Sequence, residues 1–307
     1  MKPDQISQTA AFIAIKFYGL TKDEPYRSLF DNETIAFYDH LVKDLPAPLN
    51  RYHKLLNKKW LRPLFQWSEE LLLPGDLMHI LMRKYYISTM VDKLKGEYLQ
   101  LVVLGAGFDH LSARCSAEGM TCLEIDTPHM AVLKKKLLAK QNALNENISI
   151  QEGYFLEQNL MDVLNGSNIT PHKKTIILAE GFFDYLPEMK ASEILTHISD
   201  FFEGEVHLIS TAFALQEFNA FHRFVFKTGV RMVGETLLLN HSLGDFEQLL
   251  ENTGFEVQGI ISGNQMQQEV MRPNGITLPI LTGFYLVQGR LKKSRKKDQK
   301  LEHSTLG

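Results

Sequence analysis

The chain has 307 residues, 44% of them hydrophobic, with a formal net charge of −3. That composition suits one large globular domain or one and a half, and it offers no electrostatic case for binding nucleic acid. Two cysteines, Cys115 and Cys122, fit neither a disulfide framework nor a zinc site and suit a reducing cytoplasm; no window approaches the ~18 apolar residues a membrane helix needs.

Residues 1–5 lack the apolar core of a signal peptide. Residues 1–97 read as helical, without strand alternation. The stretch 10–18 predicts a strongly apolar helix that must be buried, and 32–42 and 50–58 predict two more. Pro63 and the pair Pro74-Gly75 punctuate the segment. From Asp76 onward, Leu77, Ile80, Leu81, Tyr85, Met90 and Leu94 form a helical stripe. So many helices ahead of any strand predict a cap over residues 1–97 that shapes a substrate pocket.

Residues 101–104 are four apolar residues running into Gly105-Ala106-Gly107. This pattern predicts a buried parallel strand, a tight turn and then a helix whose N-terminal N–H groups are free. The first glycine allows positive φ; the second lets a ligand approach the backbone. A second strand, 120–126, ends in Asp126, 19 residues after Gly107. A carboxylate there can accept hydrogen bonds from both hydroxyls of a ribose, which points to a nucleoside-containing cofactor. His110 stands where a dinucleotide fingerprint has its third glycine, which weakens NAD and favours a cofactor without a pyrophosphate, such as S-adenosylmethionine.

Residues 127–142 predict a helix that Asp126 or Thr127 caps and Pro128 starts, with Met130, Leu133 and Leu137 inward and Lys134, Lys135, Lys136 and Lys140 on a solvated face. Strands follow at 148–150, 175–180 and 206–211. Residues 213–240 read as a Phe-rich, lid-like insertion. A helix at 245–252 stops at Gly254, and 255–261 with 278–288 predict a final antiparallel pair. The basic stretch from 291 to 307 reads as a disordered tail.

Three blocks, Leu104-Gly105-Ala106-Gly107-Phe108-Asp109, then Glu124-Ile125-Asp126 with Pro128, Met130 and Lys134, then Ala179-Glu180-Gly181 with Tyr185-Leu186-Pro187, occur in order. Over residues 79–290 the chain resembles the leucine carboxyl methyltransferase-like family, which includes bacterial O-methyltransferases assigned to polyketide synthesis. The resemblance implies a class I methyltransferase fold over 98–290: a Rossmann-like α/β seven-stranded sheet, mostly parallel with its last strand reversed. It implies S-adenosylmethionine as cofactor, bound through Arg83, Gly105, Ala106, Gly107, Asp126, Leu156 and Glu180. Arg83 pairs with the carboxylate of the methionine part, as a guanidinium fork suits. Glu180 also contacts that part, and Phe182 and Tyr185 line the substrate pocket. Lys16 falls near a basic position of relatives. Relatives carry Asp-Leu where Phe155-Leu156 stand here, so the acid that holds the adenine amino group is missing; Glu157 or Gln158 are candidate replacements, and backbone or water is the alternative.

The resemblance implies methyl transfer to a carboxylate or hydroxyl of a small molecule or of a protein C-terminus. A carboxylate acceptor needs no base, whereas a hydroxyl gains from one near pKa 7. His110 and His129 lie near the motifs, but nothing singles out a base, and the catalytic residue stays open. Two alternatives also stay open: an NAD-linked oxidoreductase, and a methyltransferase-fold binding module without catalysis.

Overall fold

A computed structural model describes residues 5–292 except 233 and 240, so the predicted tail beyond 292 lies outside the described residues. Among the described residues five α-helices precede the first strand: α1 (Gln8–Leu20), α2 (Asn32–Asp44), α3 (Arg51–Leu56), α4 (Arg62–Leu72) and α5 (Asp76–Leu94). The Ser7 hydroxyl caps α1 by accepting the Ala10 N–H. As predicted, α1 is buried: Ala11, Ala14, Ile15, Phe17, Tyr18 and Leu20 are all in the core. Pro63, read as punctuation, in fact opens α4, where its missing N–H costs nothing.

Strands and helices then alternate: β1 (Gln100–Leu104), α6 (Leu111–Ala117), β2 (Thr121–Asp126), α7 (Pro128–Lys140), β3 (Ile148–Glu152), α8 (Leu160–Asn165), β4 (Thr175–Ala179), α9 (Glu188–Phe201) and β5 (Val206–Phe213). The remainder is α10 (Ala220–Met232), α11 (Leu243–Asn252), β6 (Phe255–Ser262), α12 (Gly263–Met266) and β7 (Phe284–Leu291). The sheet order is β3-β2-β1-β4-β5-β7-β6, with β7 antiparallel to both neighbours and the first five strands parallel. This is the predicted seven-stranded sheet.

Because strand side chains alternate, one set of sheet residues, among them Leu101, Val103, Cys122 and Ile176, packs in a single core with α1, α2, α5, α6 and α7. The other set, including Val102, Leu104, Leu123 and Ile177, packs against α8, α9 and α11. The early helices thus share the core of one sheet face. The last strand starts at Phe284, six residues later than expected: Gly283, at φ +74°, turns the chain, and a Cβ there would lie 2.8 Å from the Ala214 carbonyl oxygen. It also runs on to Leu291, the first residue of the expected tail.

The helix after β2 holds a correction. Lys134 is buried, not solvated: its Nζ lies 3.1 Å from Glu124 and donates to the carbonyls of Asp109 at 2.6 Å and Gly107 at 3.2 Å. Position 134 falls on the face of Met130 and Leu137, four residues before and three after, so the helix carries it inward. Nor does a side chain cap α7; the Asp126 carboxylate instead accepts the Thr127 N–H.

Candidate functional site

Strand order reverses between β1 and β4, and the crevice at their carboxyl ends is where open α/β sheets bind ligands. Gly105 follows β1, Asp126 ends β2 and Glu180 follows β4, so three adjacent strands deliver these residues to one crevice. Gly105 and Gly107 have φ of +64° and +48°, and a Cβ on Gly105 would meet Phe182 at 2.8 Å. The Gly105 N–H donates to the Ile125 carbonyl at 2.8 Å, tying the turn to β2. Asp126 closes the loop: its carboxylate accepts the Gly107 N–H at 2.7 Å and the Thr127 N–H at 2.7 Å. Burial nonetheless raises its pKa above the ordinary carboxylate range. Each oxygen keeps a further lone pair, enough to receive a diol.

The crevice opens into a cavity of about 630 Å³. All nine residues singled out from the sequence line it: Arg83, Gly105, Ala106, Gly107, Asp126, Leu156, Glu180, Phe182 and Tyr185. Arg83 stands on α5 with its Nε 2.7 Å from Glu180, an ion pair too bent to be a linear hydrogen bond. Phe155, in place of the expected acid, is buried and meets Phe182 edge-on at 5.7 Å. Glu157 and Gln158 are exposed and line no part of the cavity, so neither stands in for that acid. His110 is buried beside the rings of Phe37 and Tyr38 and does not reach the cavity.

The structure adds residues that sequence reasoning missed. Lys84 donates to Asp109 at 2.7 Å and to Glu180 at 2.8 Å, and all three line the cavity. Lys16, which the sequence placed only near a basic position of relatives, forms a second cluster on its wall with Asp76, Glu69 and His79, none of which it marked for the site. Lys16 Nζ lies 2.6 Å from each of the two carboxylates, and Asp76 Oδ1 lies 3.2 Å from His79 Nδ1. The available signal was indirect: α5 has apolar residues on every side and is buried nearly all round, so polar residues within it need partners.

Behind the aromatic wall, Asp184 is buried; one oxygen accepts the Phe213 N–H at 3.0 Å, and the other has no partner among the described residues. Burial raises its pKa to about 6. A carboxyl whose folded pKa is raised stabilises the fold fully at low pH and loses that contribution as pH rises through about 6. Against Asp184→Asn, the wild type should therefore lose up to about 3 kcal/mol between about pH 4 and pH 7. Urea midpoints across that range check this; parallel curves for the two proteins would refute it.

The sequence profile of the leucine carboxyl methyltransferase family matches residues 22–199. No curated protein matches the chain in sequence. Among solved structures, a protein from Thermobifida fusca YX described as a candidate methyltransferase is 18% identical. It aligns over 88% of this chain and 99% of its own, with a TM-score of 0.56, a likeness of fold. The magnesium protoporphyrin IX methyltransferase of Synechocystis PCC 6803 is 12% identical over 69% of this chain and 84% of its own, with a TM-score of 0.46. The pyocyanin biosynthetic protein PhzM is 15% identical, TM-score 0.44; the match takes in 70% of this chain and spans only 57% of PhzM. The methyl donor of the matched family is S-adenosylmethionine, and the turn, carboxylate and cavity described above fit it. The chain belongs to the leucine carboxyl methyltransferase family.

Proposed function

We propose that the protein is an O-methyltransferase that moves a methyl group from S-adenosylmethionine to an oxygen, a hydroxyl or a carboxylate, of a small molecule held in the cavity or of a protein C-terminus. One observation carries this: a single cavity joins the Gly105–Gly107 turn, Asp126 and Glu180 to a chamber walled by α1, α4, α5 and α10. Asp126 takes the ribose hydroxyls, the outer nitrogens of Arg83 take the methionine carboxylate, and Glu180 fixes the Arg83 fork. Ala106 and Leu156 line the cofactor half, and Phe182 and Tyr185 wall the point of transfer. The cofactor supplies a methyl already activated on sulfonium sulfur, so the residues' work is to position the partners and exclude water. Residues 1–97 act as the cap, 98–290 as the cofactor-binding domain and 213–240 as a lid. The buried free thiols Cys115 and Cys122 suit a cytoplasmic setting.

Isothermal titration tests this reading. S-adenosylmethionine and S-adenosylhomocysteine should bind in the micromolar range while NADH gives no heat. Heat from NADH alone would restore the oxidoreductase alternative, and binding without turnover on any oxygen acceptor would favour the non-catalytic one.

A further inference from the structure

Most of the large apolar side chains that are exposed among the described residues fall in two short segments, 55–72 and 221–224, so they form a surface rather than a scatter. We infer that this surface docks on an anionic lipid bilayer, with the mouth of the cavity turned toward the lipid. Such docking does not depend on the activity proposed above.

Helical spacing makes the first segment one-sided. Trp60, Leu64, Trp67 and Leu71 recur every three or four residues, so they line one side of α4 and of the turn before it. Trp60 is 72% exposed and Trp67 62%. Away from that side, Arg62 turns inward to Asp23, and half-buried Phe65 packs against the main core. Indole rings settle at the boundary of a bilayer, where the ring meets acyl chains and the N–H meets water or headgroups. On α10, Phe221 and Phe224 are exposed three residues apart, and Arg223, Lys227 and Arg231 recur every four residues in the neighbouring strip. A helix with an apolar strip flanked by basic residues is the kind that lies in a membrane interface.

Charge selects the occupant. The chain as a whole carries −3, yet residues 51–68 and 218–234 contain no acidic residue. Arg51, Lys54, Lys58 and Lys59 are exposed, and among the described residues none of them pairs with an acid. The acids that come next are occupied: Glu69 holds Lys16, Glu70 accepts the Gly75 N–H at 3.0 Å, and Glu235 accepts the Ser7 hydroxyl at 2.7 Å. A second copy docked by the same face would set these cations against one another, and so would the basic stretch that begins at Lys292. A leaflet with anionic headgroups attracts them and takes the aromatic rings among its chains.

Both segments reach the cavity. Leu72 ends α4 and Phe224 stands on α10; they line the cavity and are still 60% and 68% exposed, so they mark its mouth. Docked by this face, the protein turns that mouth to the leaflet, and a molecule dissolved there enters without crossing water. The contact stays at the surface, since among the described residues no helix is long and apolar enough to cross a membrane.

Trp60 and Trp67 are the only tryptophans of the chain, so tryptophan emission reads this face alone. The test mixes the full chain with vesicles of phosphatidylcholine and with vesicles that also contain phosphatidylglycerol. With the anionic vesicles, emission should move to shorter wavelength and brominated acyl chains should quench it. Co-sedimentation should be at least about tenfold stronger than with the neutral vesicles, and raised salt should weaken it. Leu64→Glu joined to Leu71→Glu keeps both tryptophans and replaces no residue that lines the cavity. It should lower vesicle affinity by about tenfold or more, while the urea midpoint and S-adenosylhomocysteine affinity stay near those of the wild type. Lys58→Gln joined to Lys59→Gln should weaken binding to anionic vesicles and flatten its salt dependence. Unmoved emission with anionic vesicles, equal binding to neutral ones, or wild-type binding by the double glutamate variant would each overturn the inference. Blue-shifted emission before any lipid is added would overturn it too: the face is then covered by a second copy if dilution reverses the shift, and by residues 293–307 if it does not. A wild type that binds vesicles but not S-adenosylhomocysteine would lose the proposed function and keep this surface.

Discussion

Replacing Lys84 by Met should lower the unfolding free energy by about 3–5 kcal/mol, because it takes the ammonium from buried Asp109 and leaves half-buried Glu180 with Arg83 alone. Lys84 is 5% exposed, and its ammonium bridges Asp109 at 2.7 Å and Glu180 at 2.8 Å. Burial works against its charge, but the two carboxylates outweigh burial and hold its pKa well above the ordinary lysine range. With the ammonium gone, Asp109 still accepts the Leu111 N–H at 2.7 Å, but Glu180 keeps only its bent contact with Arg83. The loop after β1 and the turn after β4 then repel each other across the crevice. Urea denaturation checks this: the midpoint should fall with m unchanged. Lys174→Met, which removes an exposed pair with Glu97, should leave the midpoint near that of the wild type. A loss below about 1 kcal/mol in Lys84→Met would show that water or a shifted Arg83 compensates the carboxylates.

What the sequence disclosed follows from how locally each feature is written. The strands leading into Gly105, Asp126 and Glu180 are short apolar runs broken by glycine or acid, and parallel connectivity then brings their ends together whatever the intervening loops. The partners of Lys84 lie 25 and 96 residues away, so nothing near it in the chain announced its role. Lys134 was legible in principle: it shares a helix face with Met130 and Leu137, but three neighbouring lysines made a solvated face the simpler choice. The pairing of His79 with Asp76 was overlooked in a helix that is buried nearly all round, where a polar residue is the informative one. α4 was legible in principle: Leu64, Trp67 and Leu71 recur at helical spacing, but Pro63 at its start reads as a break, and the face they form is exposed rather than turned to the core.

Asp126→Ala should weaken S-adenosylhomocysteine binding by about 100-fold or more, on the scale of two charge-assisted hydrogen bonds at about 1.5–3 kcal/mol each. The carboxylate holds two jobs in the proposed site. It receives the ribose hydroxyls, and it fixes the glycine turn by accepting the Gly107 and Thr127 N–H groups. Asp126→Asn separates them. The amide keeps one acceptor oxygen for the turn but turns an N–H toward the second backbone donor and removes the charge. If the diol contact dominates, Asn should lose nearly as much affinity as Ala while its urea midpoint stays closer to the wild type. If turn geometry dominates, both should lose stability and affinity together. Titration and denaturation of the two variants decide between these cases, and unchanged affinity in Asp126→Ala would remove Asp126 from the cofactor site altogether.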